Sequence, residues 1–231
     1  MIFLVFEQLE ESNRLLNERV KASVLTSEKI TNAAMPKLLS LEECLRDLHS
    51  HFYEVKRGET ITVRHIALDM VDAWRKVESL LSENSIQANI DYRVLMITKN
   101  HSMLGPVDEE VKEWCKNVGE ITIPRIKRDA PKLLKQFKQS GRRLQITGKE
   151  YAYSPFLHGF EIQGPVNICY MSICRWIQKE QYQFDWGEEA YFRIIKPTAD
   201  PVQNDLHRIF SSSFDRHWYL NPQTNLEFDS Q

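Results

Sequence analysis

Two apolar runs separated by one amphipathic helix constrain this chain more than any other feature. TITVRHIALDM, 60–70, and IDYRVLMITK, 90–99, are rich in β-branched and aliphatic residues, as strands buried on both faces are. Between them, 69–83 places Val71, Trp74, Val77, Leu80 and Leu81 at helical spacing. A strand, a helix and a second buried strand imply a right-handed crossover and a parallel pair. VDEEVKEWCKNV, 107–118, and a longer helix over 122–139 follow, with Pro131 in a first turn after a break at Asp129. Strands are then expected at 142–148, 156–163, 166–173 and 189–196, the middle pair joined by a Gly-Pro turn, and closely spaced strands of this kind pair antiparallel. A helix over 201–220 and a polar, frayed tail over 222–231 complete the order. The fold class read from this order is α/β, a mixed sheet flanked by helices.

Upstream of Gly58 the texture differs. Residues 3–33 carry an apolar stripe at helical period, and SLEECLRDLHSHFYEV, 40–55, opens with Ser40 and Glu43 as a capping box. The two form a helical hairpin over 1–57, expected either to pair two copies or to cap the domain that spans 58–221. MIFLVF is far short of the roughly 20 apolar residues that cross a bilayer. It reads as the first turn of the packed helix, with the remnant of a membrane segment as the alternative. Cys44, Cys115, Cys169 and Cys174 form no C-x-x-C pair and are expected to be buried reduced thiols of a cytoplasmic protein. No metal or cofactor is expected, since no phosphate-cradling glycine motif or zinc spacing occurs.

The segment 124–149 carries nine cations against the single acid Asp129, although the whole chain has a formal charge of -2. Arg125, Lys127, Arg128, Arg142, Arg143 and Lys149 are the candidate phosphate contacts. Tyr151 and Tyr153 lie beside them as candidate stacking rings. The bland alternative is a solvated face balanced by Asp108, Glu109, Glu110 and Glu113. In SFDRHW, 213–218, neighbouring polar residues point in different directions, and Phe210, Phe214 and Trp218 read as a core stripe. His65 is expected to be a hydrogen-bonded core histidine.

From TVRHIALDM and the Trp74 helix, through YRVLMIT, RRLQITG and FLHGFEIQGPVNICY, to the helix ending IFSSSFDRHW, the chain resembles one half of a phospholipase D-type domain. It is closest in texture to the single-copy phospholipase D-like modules of bacterial regulatory and defence proteins. That family's signature is H-x-K-x(4)-D, with the histidine as nucleophile on phosphorus. His158 stands at the histidine position, but Phe160 replaces the lysine and Pro165 the aspartate. Phosphoryl transfer relies on electrostatic stabilisation, and a lone imidazole supplies little. The resemblance thus implies a non-catalytic module that binds a phosphate-bearing ligand or a partner protein. Two alternatives stand beside it. One is a divergent nuclease or phosphodiesterase pairing His158 with its copy in a second subunit, with Lys149 as the cation. The other is a nucleic-acid-binding protein that uses 124–149.

Overall fold

The computed structural model describes residues 38–83, 85–104, 109–152, 157–165, 167–173, 175–178, 182–185, 191–196, 200–220 and 224–230. Its centre is an eight-stranded mixed sheet. The strands are β1 (Leu38–Leu39), β2 (Thr60–Ile66), β3 (Asn89–Ile97), β4 (Leu144–Tyr151), β5 (Leu157–Gln163), β6 (Asn167–Ile173), β9 (Tyr191–Lys196) and β10 (Thr224–Asp229). A separate hairpin joins β7 (Arg175–Gln178) to β8 (Tyr182–Asp185). The helices are α1 (Leu41–Glu54), α2 (Val71–Leu81), α3 (Glu109–Asn117), α4 (Ile123–Gln139) and α5 (Pro201–Leu220).

Across the sheet the order is β1-β9-β6-β5-β2-β3-β4-β10. β2, β3 and β4 run parallel, each pair bridged by helices, and every other neighbour is antiparallel. The α/β class and the mixed sheet expected from the sequence are those observed. The register sorts the side chains onto two faces. Val63 pairs with Tyr92, His65 with Phe160 and Phe160 with Tyr170, which places these residues on one face. There Leu48 and Phe52 of α1, with Val77, Leu80 and Leu81 of α2, close over Val63, Tyr92 and Phe160. On the other face α5 lays down Phe210 and Phe214, both buried.

Ser40 and Glu43 form the expected capping box, each side chain bonded to the other's backbone amide. The helix it starts buries Cys44, Leu48 and Phe52, and its Asp47 accepts from Tyr170 of β6 and Arg193 of β9. α1 therefore packs on the mixed sheet. The helix expected over 3–33 lies outside the described residues. Among the described residues no helix is long and apolar enough to cross a membrane.

Three local expectations are corrected. α4 runs unbroken through Asp129 and Pro131, and the irregular turn sits earlier, in the π-helical Val118–Thr122. The cost of an interior proline, about 3 kcal/mol, is offset by the buried row Ile126, Ala130, Leu133 and Phe137. The tail is not frayed, because β10 pairs with β4 over Thr224–Asp229. Leu226 alternates with polar neighbours in strand period and fits over Gly148, where an added Cβ would come within 3.0 Å of its side chain. The β7–β8 hairpin was not anticipated, since 174–188 offers no tight-turn dipeptide.

Candidate functional site

His158 sits near the start of β5, one residue before the Gly159 that pairs with Ile66 at the end of β2. This places it at the carboxyl end of the parallel strands, the side on which open α/β sheets bind ligands. Gly159 has φ +140°, and a Cβ there would lie 2.0 Å from the Tyr170 carbonyl oxygen, so only glycine fits. His158 is buried, and its Nδ1 lies 3.0 Å from the Tyr191 hydroxyl. Phe160, two residues on and on the same face, stacks on His65 with ring centroids 4.0 Å apart. Nδ1 of His65 lies 2.7 Å from the Tyr92 hydroxyl, which makes it the hydrogen-bonded core histidine that was expected. Burial drives the His65 pKa down to about 3, with a smaller contribution from the charge of His158. The neighbourhood of His158 is aromatic and desolvated, and Phe160 is a ring committed to the core. Lys149 belongs to the opposite face. Its ammonium donates to the Trp218 carbonyl at 2.8 Å and lies 4.8 Å from the centre of the Trp218 ring.

The basic segment does not form one surface. Arg142 is buried, bonded to the Ile86 carbonyl and to Ser140, with its guanidinium 4.4 Å from the Phe137 ring centre. Burial lowers its pKa. Arg143 makes a two-point pair with Asp229 of β10 at 2.6 and 3.2 Å. Tyr151 is buried, its hydroxyl donating to the Ala67 carbonyl at 3.1 Å, so it presents no stacking face. Tyr153 lies outside the described residues, as does Asp108. Lys127 is exposed on α4. Of the acids expected to balance the segment, Glu109 pairs with Lys112 of its own helix at 2.5 Å. Asp129 and Asp229 provide the neutralisation observed.

Two of the predicted residues do converge. Arg125 and Arg128 line a groove between α2 and α4, together with Trp74, Arg75, Glu78 and Asp129. Its volume is about 350 Å³, at the small end of ligand sites, which span about 300–1,000 Å³. The floor is set by Trp74, fully buried, whose indole N–H donates to Asp129 at 3.3 Å. Arg128 holds the same carboxylate at two points, 2.9 and 3.2 Å. The bonds from Arg128 are the largest influence on Asp129 and keep its carboxyl below the usual carboxylate range, against the effect of burial. Arg125 donates to the Val71 carbonyl in the first turn of α2 at 2.8 Å. Arg75 is exposed and has no hydrogen-bond or ion-pair partner among the described residues. Sequence reasoning missed Arg75, which lies 50 residues before Arg125, because only the packing of α2 on α4 brings them together.

A second polar cluster lies under α5. Glu161 is fully buried, and its Oε1 accepts from Ser211 at 2.7 Å and lies 3.0 Å from Nε2 of His207. Arg64 approaches Oε2 at 3.3 Å and Asp215 at 3.4 Å. A serine nucleophile is activated when the serine bonds the histidine and the histidine bonds the acid in series. Here Ser211 and His207 both point at one carboxylate oxygen, which is the geometry of an anchor. Asp215 and His217 serve different contacts, since His217 packs on Tyr151 at 5.6 Å. Among the described residues no group of three His, Cys, Asp or Glu side chains is placed to hold a metal ion. Set against protein-family models, curated proteins and solved structures, the chain matches none of them.

Proposed function

We propose that this chain is a non-catalytic phospholipase D-like module that binds a phosphate-bearing ligand in the groove between α2 and α4. The observation that carries the reading is the set of three guanidinium groups, Arg75, Arg125 and Arg128, lining one cleft of ligand size. The buried aromatic surroundings of His158, with Phe160 at the lysine position, support the non-catalytic half of the reading. The N-terminal segment then joins two copies or passes occupancy of the groove to an attached unit, as in bacterial regulatory and defence proteins. A nucleic-acid reading needs a continuous cationic track, and the engagement of Arg142, Arg143 and Lys149 in internal contacts counts against it.

The test pairs turnover with binding. Bis(p-nitrophenyl) phosphate should not be hydrolysed by the wild type, and His158→Ala should change nothing. Inorganic phosphate should bind with an affinity that falls at least fivefold in Arg128→Ala. Hydrolysis lost in His158→Ala, or phosphate affinity unmoved by Arg128→Ala, would sink the reading.

A further inference from the structure

The groove is lined by carboxylates as well as guanidiniums, and this bears on which phosphates it takes. Arg128 is already held at two points by Asp129. Arg125 has one N–H committed to the Val71 carbonyl. Of the three guanidiniums that line the groove, Arg75 has no hydrogen-bond or ion-pair partner among the described residues, and Glu78 lines the same cleft. The Asp129 pair uses two of the five N–H groups of Arg128, so an incoming anion bonds the remaining ones beside the charges of Asp129 and Glu78.

A phosphodiester is the weaker ligand for that arrangement. It carries one charge over two free oxygens. A terminal phosphate carries a charge of about -1.5 to -2 on three acceptor oxygens. It can bond Arg128 through one oxygen and Arg75 through another. Asp129 stays in place meanwhile, held by the Trp74 indole N–H and by Arg128. The volume of about 350 Å³ admits a phosphate with a compact organic group.

We infer that the groove between α2 and α4 selects phosphomonoesters over phosphodiesters, with Arg75 as the recruiting cation. This rests on the phosphate-binding reading above and narrows it to a ligand class.

Calorimetric titration of the full chain at fixed low salt, with a nucleoside 5′-monophosphate and the 3′,5′-cyclic monophosphate of the same nucleoside, tests it. The monoester should bind at least tenfold more tightly than the cyclic diester. Arg75→Ala, at an exposed position where folding is undisturbed, should weaken the monoester at least fivefold. Asp129→Asn keeps an acceptor for Trp74 and removes the carboxylate charge. It should tighten the monoester more than the diester, because the repulsion it relieves grows with the charge of the ligand. Equal binding of the two esters by the wild type would overturn the selectivity and leave phosphate binding intact. Monoester binding indifferent to Arg75→Ala would overturn the assignment to this groove. No binding of either ester would overturn both readings.

Discussion

At the scale of single residues, two positions beside His158 show how tightly the centre of the sheet is specified. Gly159 packs against the backbone of β6 with no room for a Cβ. Gly159→Ala should destabilise the chain by more than about 3 kcal/mol, since strain at a positive φ adds to a backbone clash; the midpoint of urea unfolding reads it. His65 makes a prediction about pH. Burial holds its folded pKa at about 3, while the unfolded chain titrates near 6.5. Between those values the unfolded state binds a proton that the folded state refuses, so stability falls as pH falls. The contribution is complete above about pH 6.5 and is lost at up to about 1.4 kcal/mol per pH unit below it. Urea unfolding at pH 7, 6 and 5 should show the slope, and His65→Gln should flatten it. His65 was legible as a core histidine because its strand is apolar on both sides. The commitment of Phe160 to the same stack was not legible, since pairing of β2 with β5 brings together residues 95 positions apart.

At the scale of elements, the legible parts were those whose signal is local. Period and capping found α1, α2, α5 and six strands of the mixed sheet, and missed β1 and β10. The path of α4 was misread because proline is a local breaker, whereas the buried row that carries the helix past Pro131 is a tertiary contribution. Half of the groove was legible for the same reason. Arg125 and Arg128 lie in a conspicuous basic run, but Arg75 and the role of Asp129 depend on how α2 meets α4. The anchoring of α5 is an element-scale device of the same kind. Burial raises the Glu161 pKa, and the bonds from His207 and Ser211 with the charge of Arg64 outweigh it, leaving the carboxyl below its ordinary range. Glu161→Ala would leave Arg64 and His207 facing a desolvated gap. It should cost about 3 kcal/mol or more, as loss of one partner from a buried ion pair does. Hydrogen exchange should show α5 loosening before the rest, and uniform loss of protection across the sheet would contradict an anchoring role.

At the scale of the whole molecule, the sheet is closed at one side by β10, which covers β4 and ties to it through the Arg143–Asp229 pair. Removing residues 224–231 should expose the backbone edge of β4 and the Gly148 surface that Leu226 covers. An uncovered strand edge is a template for pairing with other chains. The truncated protein should therefore elute in light-scattering chromatography as soluble aggregates, and a stable species of unchanged mass would refute the role given to β10. The acidic residues of β10, Glu227 and Asp229, suit an edge position, because like charges brought face to face repel a second copy. The position of β10 also sets an order of events during synthesis. Thr224 pairs with Lys149, some 75 residues earlier, so β4 leaves the ribosome with one side open and stays open until β10 emerges. At about 5–20 residues per second, that interval lasts several seconds, during which the uncovered edge of β4 is open to pairing with a neighbouring nascent chain.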